Sequence, residues 1–344
     1  MARTWLITGG AGFIGSNFVH HVYNRYPEDR ILVLDLLTYA GSVENLPVGF
    51  RNNDGRLQFH YGDVRNASLV DTLVSHADIV VHFAAETHVT RSIHDNYHFF
   101  ETDVLGTQVV ANAILRRAPK VERFIHISTS EVYGTAVTPL MDEQHPLMPM
   151  SPYASAKAGA DRLVYSYWAT YRLPAIIVRP FNNYGPRQHL EKAMPRFITS
   201  CLMDEPLRVH GDGSAMRDWT FVEDTCEGID LLTRADLASV AGQVFNLGQA
   251  ESVSIADIAQ RVVKAMDCPA SLVTYVGERP GQVFRHTCDA TRLSSVCGWT
   301  PKVSLDEGIR RTIAWYRENP ESWQKQMWMR EIPIVTAAGT RELH

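Results

Sequence analysis

The chain has 344 residues, 45% hydrophobic and 21% charged, with a net charge of −5 and no basic block; this suits a globular α/β protein with one large domain or two modest ones and argues against a nucleic-acid partner. No run of about 18 uncharged apolar residues marks a membrane span, and the N-terminus enters a strand pattern directly, without a secretory signal, so a cytoplasmic location is expected. The five cysteines are scattered and form no C-x-x-C pair, so neither a disulfide framework nor a metal site is expected.

Thr4 to Thr8 reads as a short strand running into Gly9-Gly10-Ala11-Gly12-Phe13-Ile14-Gly15, followed by an apolar-periodic helix from Ser16 to about Tyr26. Glycines at 9, 12 and 15, with Phe13 and Ile14 between them, allow a tight turn, close approach of backbone N–H groups to a pyrophosphate, and close helix–strand packing. The helix N-terminus adds partial positive charge for that anion. A second strand, Ile31 to Leu34, ends on Asp35, twenty residues past Gly15. An acid there accepts ribose hydroxyl hydrogen bonds and repels a 2′-phosphate, so the expected cofactor is NAD.

Leu57 to Tyr61 is a third strand, ending near Asp63 and Val64 at an expected adenine edge. Ile79 to Phe83 is a fully apolar strand of the parallel-sheet kind, and it breaks at Ala84-Ala85-Glu86-Thr87-His88, where small residues let the backbone lie against a cofactor. A helix is expected over Asp103 to Leu115. The apolar run Phe124-Ile125-His126-Ile127 then ends in Ser128-Thr129-Ser130-Glu131-Val132-Tyr133-Gly134, placing those polar residues at the carboxyl end of a buried strand, where open α/β sheets bind ligands. Ser151-Pro152 starts a helix on which Tyr153 and Lys157, four apart, share a face. The Lys157 ammonium is expected to lower the Tyr153 phenol pKa, so that the phenolate takes a proton from a sugar hydroxyl.

Strand–helix alternation continues to Ala175–Arg179, which implies a doubly wound parallel sheet of the Rossmann type, residues 1–180. Beyond it the texture changes to Pro180-Phe181-Asn182-Asn183-Tyr184-Gly185-Pro186-Arg187 and shorter elements, read as a smaller mixed α/β substrate-binding domain over 181–330. A segment of about 219–248 is expected to return to the sheet, and 331–344 reads as a polar tail. His88 and His126 read as structural histidines, His286 and Cys288 as a strand's opposite partners and not metal ligands, and Trp299 as packing.

Laid out in this order, the motifs resemble the extended short-chain dehydrogenase/reductases, above all the nucleotide-sugar branch and its NDP-glucose 4,6-dehydratases. The likeness runs from Thr8-Gly9 to Gly298-Trp299. Leu37-Thr38-Tyr39-Ala40-Gly41 resembles that family's loop over adenosine, and Ala84 to Ser92 resembles a segment typical of its dehydratases. The resemblance implies substrate contacts from Thr87, Asn182, Asn183, Lys192, Arg217, Asn246 and Arg279, the two arginines suiting a diphosphate. It also implies a homodimer built through the Tyr153–Lys157 helix and the helix near Asp103–Leu115. The implied reaction is an internal redox cycle. Tyr153 takes the C4 hydroxyl proton as hydride leaves C4, Thr129 hydrogen-bonds the C4 oxygen, Glu131 takes the C5 proton, water leaves C6, and hydride returns to C6.

Two positions depart from the pattern. Ser130 stands where members acting on dTDP-glucose carry an aspartic acid that protonates the departing water. Asp103 stands where an asparagine is usual. Either Glu131 shuttles the C5 proton to the C6 hydroxyl, or dehydration does not occur. A sugar-nucleotide 4-epimerase shares Tyr153, Lys157 and the NAD site but needs no C5 base. A UDP-glucuronate decarboxylase fits Ser130 and is opposed by the 84–92 segment. A redox-silent NAD-binding protein would be expected to lack Tyr153, Lys157 or Glu131.

Overall fold

The computed structural model describes residues 2–343 apart from 53, 118, 279–282, 332 and 336–339. Seven parallel strands form the central sheet: β1 (Thr4–Thr8), β2 (Arg30–Asp35), β3 (Leu57–Tyr61), β4 (Ile79–His82), β5 (Arg123–Ile127), β6 (Ala175–Pro180) and β7 (Val244–Leu247). Their spatial order is β7-β6-β5-β4-β1-β2-β3. The order reverses between β1 and β4, which opens a crevice at the carboxyl ends of those strands.

Side-chain alternation along the strands builds two cores. On one face Ile7, Val33, Val81 and Ile125 pack with Phe18 and Val22 of the Phe13–Arg25 helix and with Ile229 and Leu232 of the Val222–Arg234 helix. On the other face Leu6, Leu32, Val80 and Phe124 pack with Val70, Val110 and Val164 from three further helices. Both faces are covered, which is why these strands read as continuous apolar runs.

A third core gathers Tyr184, Phe197, Ile198, Trp219, Ile258, Val262, Ile309 and Tyr316. It is built on a three-stranded sheet of Asn182–Tyr184, Met216–Phe221 and Ser252–Ser254, and on the parallel pair Leu207–His210 and Val273–Val276. Within the C-terminal stretch Pro333–Val335 pairs antiparallel with Arg341–Leu343. Among the described residues no helix is long and apolar enough to cross a membrane.

Two elements differ from expectation. The helix expected from Asp103 is preceded by a π-helical turn over Phe100–Gly106, with α-helix only over Thr107–Arg117. The wider turn places the Asp103 side chain in the interior, 1% exposed, where its Oδ1 accepts from the Glu86 amide at 2.8 Å. His286 and Cys288 do not lie on a strand: their segment makes only isolated bridges, Arg285 with Met216 and Cys288 with Met141.

Candidate active site

A single cavity of about 470 Å³ runs from the β1 turn, across the ends of β4 and β5, to the third core. At its first end the glycine turn sets the shape. Gly9 has φ +67°, and a Cβ there would lie 2.5 Å from the Ala84 amide nitrogen. A Cβ on Gly15 would run into the Gly9 carbonyl oxygen. The Phe13–Arg25 helix starts at Gly12 without a side-chain cap, so its first-turn N–H groups lack a side-chain partner beside the cavity. Gly9, Gly12, Phe13, Ile14, Gly15, Asp35, Asp63, Val64, Ala84 and Ala85 all line this end.

Asp35 accepts from the Ala11 amide at 2.9 Å and the Leu37 amide at 2.8 Å, and burial raises its pKa. Each of its oxygens keeps a further lone pair for a ribose hydroxyl. The lining residues that follow, Leu36, Thr38, Tyr39, Ala40 and Gly41, bring no cation for a 2′-phosphate. This end fits NAD. Asp63 is held instead by Arg65, Nη2 to Oδ2 at 2.6 Å, which keeps its pKa low against the effect of burial.

The middle of the cavity holds the groups expected to react. β5 delivers a short 3-10 turn, Ser130–Tyr133, capped by the Thr129 hydroxyl, which accepts from the Glu131 amide at 3.2 Å. The Pro152–Tyr171 helix starts with the Ser151 hydroxyl accepting from the Ala154 amide at 3.1 Å, and this brings Tyr153 and Lys157 to the same place. Thr129, Ser130, Glu131, Tyr153 and Lys157 all line the cavity. The Thr129 hydroxyl hydrogen-bonds the Tyr153 phenol, and Lys157 Nζ donates to the Ile127 carbonyl at 2.7 Å.

The expected lowering of the Tyr153 pKa is overturned. Burial and then the negative charges of Asp103 and Glu131 push the phenol far above its ordinary value, and the Thr129 hydrogen bond pulls the other way. Burial also lowers the Lys157 pKa, opposed by Asp103 and Asp161. The sequence carries the Tyr–Lys spacing but not the depth at which both groups are buried.

At the far end Thr87, Asn182, Asn183, Lys192 and Arg217 line the cavity. Lys192 donates to the Thr87 carbonyl at 3.1 Å and pairs with Glu191 at 2.9 Å. Burial alone would raise the Glu191 pKa, but Lys192, His88 and His189 hold it down at about 2. The Asn183 amide donates to the Phe181 carbonyl at 2.9 Å, and its oxygen accepts from the Thr225 hydroxyl.

Asn246, expected to contact substrate, does not line the cavity. It is fully buried: its Oδ1 accepts from Tyr133 at 2.7 Å, and its Nδ2 donates to the Met141 carbonyl at 2.8 Å. Arg179 donates to the same Tyr133 hydroxyl at 2.9 Å and grips Asp161 through two bonds of 2.8 and 2.9 Å. Asn246 therefore belongs to the scaffold beneath the 130–133 turn. Arg279, with Pro280 and Gly281, lies outside the described residues. Sequence reasoning passed over Arg196, Arg208 and His210, which also line the far end. The period-two spacing of Arg208 and His210 on one short strand was the available signal.

Comparison with known proteins agrees with this geometry. The GDP-mannose 4,6 dehydratase family profile matches residues 6–312. A dTDP-glucose 4,6-dehydratase of Streptomyces antibioticus is 41% identical over 341 residues, covering 98% of both chains. The low-salt glycan biosynthesis protein Agl12 of Haloferax volcanii is 41% identical over 317 residues, 92% of this chain and 99% of that one. The crystal structure of the dTDP-glucose 4,6-dehydratase DesIV from Streptomyces venezuelae, with NAD and TYD bound, superposes with a TM-score of 0.88 at 39% identity, covering 94% of this chain and 99% of that one.

Proposed function

The chain belongs to the GDP-mannose 4,6-dehydratase family, within the extended short-chain dehydrogenase/reductases, and we propose that it turns a nucleoside-diphosphate hexose of the dTDP-glucose type into its 4-keto-6-deoxy product with the residues gathered in this cavity. The enzyme is an NAD-dependent hydro-lyase. The observation that carries the residue assignment is the convergence of Thr129, Glu131, Tyr153 and Lys157 at the middle of one cavity whose first end fits a dinucleotide.

Bound NAD supplies the hydride acceptor for C4 and returns the hydride at C6. Tyr153, as phenolate, takes the C4 hydroxyl proton. Because burial disfavours that phenolate, its formation calls for a compensating positive charge, and Lys157, four residues on along the same helix and lining the same cavity, is the residue assigned to supply it. Thr129, hydrogen-bonded to Tyr153, fixes the C4 oxygen. The 4-keto group acidifies the C5 hydrogen, and Glu131 takes that proton. The paired Glu191 and Lys192, with Thr87 and Arg217, line the nucleotide end, where a guanidinium matches a diphosphate in bidentate fashion. The working form is a homodimer in the cytoplasm, joined through the Thr107–Arg117 and Pro152–Tyr171 helices, next to which Phe100, Leu105 and Tyr165 lie exposed.

The test is a product assay in heavy water on NAD-loaded enzyme, with dTDP-, UDP-, GDP- and CDP-hexoses, N-acetylated ones included. Loss of one water, a 4-keto signal and deuterium at C5 are expected, first with dTDP-glucose. A mass-neutral change at C4 would make the enzyme an epimerase, and carbon dioxide released from UDP-glucuronate would make it a decarboxylase.

A further inference from the structure

Dehydration requires a proton at the departing C6 oxygen, and Ser130 is a weak acid on its own. Behind it lies a group that sequence reading set aside. His286 is fully buried and does not line the cavity. Its Nε2 lies 2.8 Å from the Gly134 carbonyl oxygen, its Nδ1 lies 3.3 Å from Ser130 Oγ, and the same Nδ1 lies 3.9 Å from Glu131 Oε1. A carbonyl only accepts, so Nε2 carries the ring proton and Nδ1 of the neutral ring is bare. The Ser130 hydroxyl therefore donates to Nδ1.

The ring is held firmly. The His286 amide donates to the Met216 carbonyl at 3.1 Å, the Thr287 carbonyl accepts from the Met141 amide at 2.9 Å, and the Cys288 amide donates to Asp218 at 3.1 Å. The Phe181 ring meets the imidazole edge-on at 6.0 Å. Charged and titratable groups face it from several elements: Glu131 from the 3-10 turn, Arg217 from the Met216–Phe221 strand, and His145. Burial lowers its pKa, Arg217 and His145 lower it further, and Glu131 with the Gly134 carbonyl raise it.

We propose that His286 is a positioning residue for the elimination half of the reaction, relaying the proton that Glu131 takes from C5 through the Ser130 hydroxyl to the departing C6 oxygen. The inference rests on the dehydratase reading above and on Glu131 as the C5 base. The C5–H electron pair becomes the C5–C6 double bond, and Glu131 holds the proton. Glu131, whose side chain is 22% exposed, swings toward the ring and passes that proton to Nδ1. Nδ1–H then gives a proton to Ser130 Oγ as the Ser130 O–H proton moves to the C6 oxygen. The C6–O bond breaks and water leaves with the proton that began on Ser130, whose place on Oγ is taken by the one that came from C5. Carboxylate, serine and neutral imidazole all return to their starting states, and no outside acid is needed.

The experiment is single-turnover kinetics on the NAD-loaded holoenzyme with dTDP-glucose. Absorbance of reduced cofactor at 340 nm follows C4 oxidation, and quenched-flow mass spectrometry follows water loss. H286Q keeps an amide donor for the Gly134 carbonyl but relays no proton. It is expected to oxidise C4 within about 3-fold of the native rate and to lose water about 10²–10⁴-fold more slowly, the usual contribution of general acid catalysis, so reduced cofactor accumulates. S130A is expected to slow water loss by a similar factor, and the double variant S130D/H286Q, with a carboxylic acid at the same position, is expected to recover most of it. Water loss by H286Q or S130A at near the native rate would overturn the relay. So would equal slowing of both half-reactions in H286Q, or failure of S130D/H286Q to recover elimination. If the native enzyme itself forms no 4-keto-6-deoxy product from any sugar nucleotide, the dehydratase reading falls and takes the relay with it. If the native enzyme dehydrates and H286Q does so equally well, only the relay falls.

Discussion

Replacing Asp103 with asparagine changes one proton site in the interior and almost no volume. Asp103 is 1% exposed, its Oδ1 accepts from the Glu86 amide at 2.8 Å, and its Oδ2 has no hydrogen-bond partner. Burial pushes its pKa from 3.8 up to about 7, against the attraction of Lys157. Between those values the folded protein holds a proton that the unfolded chain releases, so this site makes the native enzyme less stable as pH rises through the window. Between pH 5 and pH 8 the unfavourable contribution grows by roughly 2–3 kcal/mol. Asparagine has no such dependence. Its buried amide costs about 1–3 kcal/mol where it lacks a partner, but that cost is the same at both pH values and cancels in the comparison. Urea unfolding of both proteins at pH 5 and pH 8 is therefore expected to show D103N gaining about 2–3 kcal/mol on the native enzyme over that interval. Removing the negative charge also lowers the pKa of Tyr153 and Lys157, both of which Asp103 raises, so the bell of activity against pH moves to lower pH. Parallel stability curves, together with an unmoved bell, would refute the assignment of a buried, titrating Asp103 beside Tyr153 and Lys157.

Gly15→Ala would drive a methyl group into the Gly9 carbonyl oxygen; the turn must shift, at about 1–3 kcal/mol as for other overpacked sites, and the purified protein is expected to carry substoichiometric NAD by absorbance after denaturation. Asp161→Asn would leave Arg179 buried without its carboxylate, since the pair is 0% and 2% exposed, and chemical unfolding is expected to show a loss of about 3–5 kcal/mol; full stability would mean that Tyr133 alone satisfies the guanidinium.

The parts of this enzyme that were legible in its sequence are those specified by neighbours along the chain. The glycine turn, the acid ending β2 and the Tyr153–Lys157 pair each sit within one strand–turn–helix unit, where spacing fixes geometry. Strand directions were legible because a sheet covered on both faces leaves continuous apolar runs. What escaped depends on depth or on distance in sequence. The sign of the Tyr153 shift turns on burial and on Asp103 and Glu131, which no local spacing reports. Asn246 is chemically suited to a ligand, yet β7 brings it under Tyr133, where the scaffold uses both ends of its amide. The π-helical turn at Phe100–Gly106 has no sequence signature of its own, because it differs from an α-helix by a hydrogen-bond register.

Ser130 brings these limits together. Taken with its sequence neighbours, it is a missing carboxylic acid, and that reading leaves the choice between a dehydratase without its acid and an enzyme of another kind. The partner that changes the question lies 156 residues further on, on a segment that pairs with Met141 and Met216 and so reaches the back of the 130–134 turn. An imidazole whose other nitrogen is committed to a carbonyl presents a single bare nitrogen to a serine and a glutamate at once. A proton delivered there by the glutamate has only two ways to go, and elimination draws it toward the serine, because the C6 oxygen is gaining negative charge as its bond breaks. The position that looked like a loss in the sequence is, in three dimensions, the end of a chain of groups that can carry the proton the lost acid would have supplied.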